Sequence, residues 1–188
     1  VHFDQIIPPR EAEDMIIKIS EKEKEEQNVS AVKKSRQERR IKYWTLLLQE
    51  FERCNYALFS NVSPRPSDIL GVGSGIADCA FSLIFQKARL SVELYLKRNS
   101  AKENTFIFNE LQKCQQDIEA SFGHPLHWQS LENKKACRIS YSIDFEGYNT
   151  DNWDEAIKWH FTNIQKLDKA LRPRLSDIKK ALKSRSNR

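Results

Sequence analysis

Residues 78–97 read DCAFSLIFQKARLSVELYLK, and this stretch decides the fold. Cys79, Phe81, Leu83 and Phe85 take every second position, and after Lys87-Ala88 so do Leu90, Val92, Leu94 and Leu96. A period of two belongs to half-buried strands, so the spacing predicts a β-hairpin. With Lys87-Ala88 as its turn, Phe85 faces Leu90, Leu83 faces Val92, Phe81 faces Leu94 and Cys79 faces Leu96. A slip of one residue would scatter these side chains over both faces. The same register puts Gln86/Arg89, Ile84/Ser91, Ser82/Glu93, Ala80/Tyr95 and Asp78/Lys97 on the opposite face, which is polar, carries both charge signs and reads as solvated. Lys-Ala lacks the Asn-Gly or Asp-Gly chemistry of tight hairpins, so a bulged or longer connection that shifts the outer pairs stays open.

Working upstream, Gly71, Gly73 and Gly75 form GVGSG. No Lys-Ser/Thr follows and a strand pattern comes next, so this is a flexible turn or bulge and not a phosphate cradle. The stretch SNVSPRPSD, residues 60–68, has two prolines and no periodicity and reads as a loop. Before it, Ile41, Trp44, Leu48, Phe51 and Leu58 recur at three- and four-residue steps, with Asn55 in the remaining slot, predicting an amphipathic helix from about Lys33 to Ser60. A polar break at Gln27 to Ser30 separates it from a charged linker helix, Arg10 to Gln27. The apolar stripe of that linker is only Met15, Ile16 and Ile19, and its run EKEKEE reads as a solvated face. Pro8 and Pro9 stop a strand-like opening, VHFDQII. The missing initiator Met suggests a piece cut from something longer.

Downstream, Ser100 to Glu103 is a capping box. It opens a helix lined by Ile107, Leu111, Cys114, Ile118 and Phe122, with Gly123 as C-cap. Leu126 to Leu131 and Ala136 to Phe145 read as two strands around Glu132 to Lys135. Asp151 caps a final helix whose apolar positions run from Trp153 through Ile157, His160, Ile164, Leu167, Leu171, Leu175 and Ile178 to Leu182. Pro173 should kink or split it. The order predicts an α+β fold: an antiparallel or mixed sheet of four to five strands covered by helices on one face, with a long C-terminal helix. Three segments are expected: 1–32, the end of a preceding domain plus a charged linker helix; 33–171, the α+β domain; and 172–188, a basic helical extension.

The 188 residues carry 31 Lys+Arg against 26 Asp+Glu, 39% hydrophobic side chains and a mean hydropathy of −0.66. This excludes a fibre, a membrane span or a wholly disordered chain, and four Trp, five Tyr and ten Phe are enough for an aromatic core. The net charge of +5 is local: residues 169–188 hold eight basic residues against Asp177, a net +7, so the rest carries −2, the difference between the two. A near-neutral body with a basic end is not a domain coated in positive charge. Cys54, Cys79, Cys114 and Cys137 lie in apolar segments without a CxxC pair and read as buried thiols of a reducing compartment, with the cytoplasm as the expected location and no membrane.

Several motifs, LSVELYLKR, IEASFGHPLHW, ACRIS and the closing helix at Trp153, come in an order that resembles the prokaryotic family known as domain of unknown function 4268, over about Arg39 to Leu171. The resemblance covers Trp44, Glu93, Glu119, Phe122, Gly123, Trp128 and Arg138. It implies a C-terminal module of bacterial and archaeal proteins, often behind a nuclease-like domain of the PD-(D/E)XK type, which would make an N-terminal domain of the same protein a partner.

A metal-dependent nuclease of that type is one alternative for this chain itself. Asp78, Glu93 and Lys97 share one face of the hairpin, where two acids would hold Mg²⁺ and Lys97 would stabilise charge. The motif needs acid-x-Lys, however, and Tyr95 stands where the Lys should be, so cross-strand ion pairs are the favoured reading. His124 and His127 lack a third metal ligand, and His160 falls on an apolar stripe as a core histidine. The reading chosen is a non-catalytic accessory or binding module of a nucleic-acid-associated protein in a defence or restriction context, with no cofactor. Its expected DNA or RNA contacts are Arg89, Glu93, Tyr95, Lys97, Trp128 and Arg138. The basic end, Arg172, Arg174, Lys179, Lys180 and Lys183, is a second phosphate candidate. The stripe Leu175, Ile178 and Leu182 needs burial, which a homodimer through the C-terminal helix would supply.

Overall fold

The computed structural model describes the backbone of residues 10–131 and 136–186, and the side chains of 22, 24–130 and 136–185. The opening VHFDQII, residues 132–135 between the last two expected strands, and Arg188 lie outside the described residues. The chain divides into two compact units, Val1–Glu38 and Arg39–Arg188. Helix α1, Arg10–Arg53, is continuous; the break expected at Gln27 to Ser30 does not occur. Residues 10–53 contain neither Gly nor Pro, and a run of Lys, Glu, Arg and Gln propagates a helix without any apolar stripe. Within the first unit Val29 and Val32 are exposed.

The second unit holds the sheet. Helix α1 ends at Arg53, seven residues before the expected Ser60, because Asn55 adopts a left-handed φ of 54° and Tyr56 N–H donates to Phe51 O at 2.8 Å. Asn55 therefore caps the helix instead of filling a core slot. The strands are β1 (Ile69–Gly73), β2 (Cys79–Phe85), β3 (Arg89–Leu96), β4 (His127–Leu131) and β5 (Ala136–Asp144), in the order β1-β2-β3-β5-β4 with every pair antiparallel. Gly71 and Gly73, expected in a turn or bulge, lie inside β1, held by pairing with Ser82 and Ala80; only Gly75, with φ 96°, occupies a turn.

The β2–β3 register is the one the alternation dictates, Phe85 facing Leu90 through to Cys79 facing Leu96. No described residue of the Lys87-Ala88 turn has positive φ. Its carbonyls are instead clasped from the far end of the domain: Phe145 N–H donates to Ala88 O at 3.1 Å and Gly147 N–H to Lys87 O at 3.0 Å. A Cβ on Gly147 would sit 2.4 Å from Gln86 O, so only glycine permits the approach.

Ser100 Oγ accepts from Glu103 N–H, as the capping box requires, but the Glu103 carboxylate pairs with Arg98 at 2.8 Å. The expected single helix is two, α2 (Ala101–Gln112) and α3 (Gln115–Phe122), interrupted at Cys114 with φ −108° and ψ 19°. The apolar stripe passes through the interruption unchanged, so periodicity does not register it. Gly123 closes α3 at φ 93°. Helix α4, Trp153–Ser186, runs through Pro173 without splitting, since Leu171, Leu175 and Ile178 are buried on either side of the exposed proline. The stripe expected to need a second subunit is thus buried within the chain, with Leu182 packed against the same core.

Tyr43, Trp44, Leu47 and Phe51 of α1, together with α2 and α4, cover the face of the sheet that carries Phe81, Leu83, Phe85, Leu90, Val92 and Leu94. The Tyr43 and Phe85 rings stack with centroids 3.7 Å apart. At about 1.5–3 kcal/mol per buried large apolar side chain, this face dominates the stability of the domain. Of the four cysteines only Cys79 and Cys137 are buried. Cys54 is exposed at the end of α1 and Cys114 is half-buried at the helix break, against the expectation of four buried thiols.

Candidate functional site

The opposite face of the sheet is not the solvated surface that alternation predicts. Ser82, Ser91, Glu93 and Ser140, in the three inner strands, are each 6% exposed or less. The pairing lines up cross-strand rows: Ser82, Glu93, Ser140 and His127 in one, and Ala80, Tyr95, Arg138 and Gln129 in the next. Over these rows lies a groove of about 600 Å³. Arg89, Ser91 and Glu93 from β3, Arg138, Ser140 and Ser142 from β5, and His127 and Gln129 from β4 line it.

At its centre Arg138 Nε stands 2.7 Å from Glu93 Oε2. By distance this is an ion pair, yet the buried Arg138 N–H is not directed at that oxygen and has no hydrogen-bond acceptor. The arginine side chain is one-third exposed and the glutamate side chain 7%. Burial raises the Glu93 pKa, and the positive charges of Arg138 and Arg89 only partly oppose it. The Arg138 guanidinium also lies 5.5 Å from the centre of the Tyr95 ring.

Of the expected contact residues, the fold brings Arg89, Glu93, Tyr95 and Arg138 together. Lys97 is exposed just past the end of β3. Trp128 does not belong to this group: it pairs with Ile139 on the helix-covered side, packs edge-on against Phe108 and donates Nε1–H to Glu119 Oε1 at 2.9 Å. That oxygen also accepts from Leu126 N–H and Gln115 Nε2 at 3.0 Å. Burial alone would raise the Glu119 pKa, but the three donors together hold it below the usual range.

The Asp78, Glu93 and Lys97 constellation is not assembled. Asp78 sits in a left-handed turn with its carbonyl accepting from Lys97 N–H at 3.0 Å. Lys97 is four residues from Glu93 along the chain, or about 13 Å at the strand rise, so the two carboxylates stand too far apart to share one ion. Among the described residues no group of three or more His, Cys, Asp or Glu side chains is placed to hold a metal. No helix is long and apolar enough to cross a membrane.

The basic end is only in part a free cationic surface. Arg172 pairs with Asp168, donates to Ser74 O at 3.1 Å and lies over the Phe81 ring, so it fastens α4 to the sheet. Arg174 pairs with Asp117 and Lys180 with Asp177, at 3.3 and 3.4 Å, while Lys179 and Lys183 are exposed. His160 is a fully buried core histidine bonded to Tyr43 and to the Ile84 carbonyl. Sequence reasoning missed a column of rings beside the groove, His124 on Tyr141 at 5.2 Å and Tyr141 near Trp159 at 5.8 Å, because its members come from a loop, a strand and a helix.

Fold and groove together define an α+β domain in which helices close one face of a five-stranded antiparallel sheet and a polar groove occupies the other. The model of the family described as Domain of unknown function (DUF4268) matches residues 39–175, most of the chain, and the chain belongs to that family. No curated protein matches the chain at a significant level.

Proposed function

We propose that the domain is a non-catalytic module that holds single-stranded DNA or RNA on the outer face of its sheet, as an accessory part of a larger nucleic-acid-associated protein. The observation that carries this reading is the groove in which Arg89 and Arg138 flank Glu93 beside Tyr95, with serine hydroxyls and Gln129 on its walls. Guanidinium groups pair with backbone phosphates. Aromatic rings and hydroxyls on an open sheet suit splayed bases, the chemistry by which sheets hold single strands. Lys97, exposed beyond Tyr95, extends the positive track.

The test is fluorescence anisotropy of labelled single-stranded oligonucleotides across a salt series. Binding should weaken linearly on log axes, and Arg138→Ala or Lys97→Ala should each lower the slope by about 0.7, the value per phosphate contact for single strands. Absence of binding at low salt would overturn the proposal.

A further inference from the structure

We infer that the outer edge of β1 pairs antiparallel with the same edge of a second copy of this chain, joining two five-stranded sheets through Gly71. This goes beyond the nucleic-acid reading and does not depend on it. Phe85 N–H donates to Asp68 O at 2.8 Å and Ser74 N–H to Cys79 O at 2.9 Å, one pair at each end of the β1–β2 ladder. Bonded pairs alternate with unbonded ones in an antiparallel ladder, so Leu70 and Val72 turn their peptide groups towards β2 while Ile69, Gly71 and Gly73 turn theirs away. Among the described residues no group meets the outward N–H and C=O of Gly71 and Gly73; on that side Ile69 N–H alone is engaged, by Ser67 Oγ at 3.1 Å. Natural sheet edges are blunted by charge, proline or bulges, and ILGVG has none of these.

The edge is its own complement. A two-fold axis at Gly71, normal to the sheet, places Gly71 opposite the partner's Gly71 and Ile69 opposite the partner's Gly73, and the outward peptide groups exchange ladder bonds. The side chains suit this register. Ile69 lies 45% exposed on the outer face, in the row of Ile84. A Cβ on Gly73 would meet nothing within 4 Å, so each Ile69 has a bare glycine and open space to cover, and symmetry repeats the fit. On the helix-covered face Leu70 comes opposite the partner's Val72, which carries the apolar layer across the seam. No charged side chain falls within β1, and Asp68 beside it is held by Arg40 and Gln86, so the paired stretch sets no like charges face to face. A foreign strand could use the ladder, but only a second copy brings an isoleucine to the glycine and a glycine to the isoleucine.

The experiment is sedimentation equilibrium of the chain, without oligonucleotide, from about 1 μM to 1 mM, the span over which a small reversible interface titrates. The wild type should show a monomer–dimer equilibrium. Ile69→Lys with Gly73→Lys sets added ammonium groups opposite each other at both ends of the seam, and the dissociation constant should rise about tenfold. Ile69→Lys with Gly73→Glu sets opposite charges there and should restore most of the lost affinity. Both positions are exposed, so each variant should keep the wild-type thermal transition. Amide exchange in the wild type keeps the inference testable if a variant does not fold: the Gly71 and Gly73 N–H groups should be protected increasingly as concentration rises. A chain that stays monomeric over the whole range would overturn the inference. So would a dimer equally tight in both charge variants, or one that leaves those two amides unprotected, since its contact would lie elsewhere.

Discussion

Two polar pairs in this domain differ in burial and in hydrogen bonding. On the helix-covered side, His160 Nε2 lies 3.1 Å from the Ile84 carbonyl, which can only accept, so Nε2 carries the proton. Nδ1 then accepts from Tyr43 O–H at 2.6 Å. The rings of Phe85 and Trp153 pack on Tyr43, and no polar atom of the pair is left open. On the outer side, Arg138 and Glu93 stand as close, yet their groups are not aligned and a groove opens over them. The first pair is wholly buried and hydrogen-bonded, whereas in the second Arg138 is one-third exposed and its Nε–H completes no hydrogen bond. A closed pair fixes the packing of α1, α4 and the sheet, whereas an open one keeps capacity for a ligand.

The largest effect is expected at the closed pair. His160→Ala should destabilise the domain by about 3–5 kcal/mol in urea unfolding, adding a cavity to an unpaired Tyr43 hydroxyl. A loss below about 1 kcal/mol would show that the pair does not fasten the helices. Acid should act on the same group with a smaller effect. Burial, outweighing the hydrogen bonds that stabilise the charged ring, lowers the His160 pKa to about 4 from 6.5. The unfolded chain thus binds the extra proton between those values. Stability present above pH 6.5 is lost as the pH falls towards 4, by about 3 kcal/mol from this group, in urea midpoints measured across that range. A flat profile, or one unchanged in His160→Gln, would contradict the assignment. The smallest effect belongs to the open pair. Glu93→Gln should shift stability by less than about 1 kcal/mol, because removing a desolvated charge offsets the loss of its partner and Arg138 retains access to water. A loss as large as that of His160→Ala would make Glu93 a structural residue and erase the contrast.

The hairpin was legible because its two faces differ in character, so any one-residue slip would turn Val92 and Leu94 away from Phe81 and Leu83, and the two-residue connection at Lys87-Ala88 selects among the registers that remain. Gly123 and the Ser100 cap were legible because they act within a few residues of their own sequence. What escaped depends on distant partners. A glycine-rich segment becomes strand β1 only because β2 offers it an edge. The serines and Glu93 read as solvated because alternation records polarity, not what neighbouring strands cover; Ser82, Ser91 and Ser140 are short and lie in inner strands. Trp128 reads as a contact residue from its position in the sequence alone, but its pairing with Ile139 turns it to the helix-covered face. The groove residues themselves come from three strands, so their identities were legible in part and the openness of the Glu93 and Arg138 pair was not.

The glycine at 147 sets an order of events in folding. The turn at Lys87-Ala88 is closed locally by Gln86 N–H on Arg89 O at 3.0 Å, but the carbonyls of the turn itself meet their donors about sixty residues later, at Phe145 and Gly147. A hairpin that looks self-contained is thus finished by a non-local step, which carries the loop-closure entropy of a long separation and slows the search for the native state. During synthesis the segment would wait, unlatched, until the chain beyond β5 had emerged.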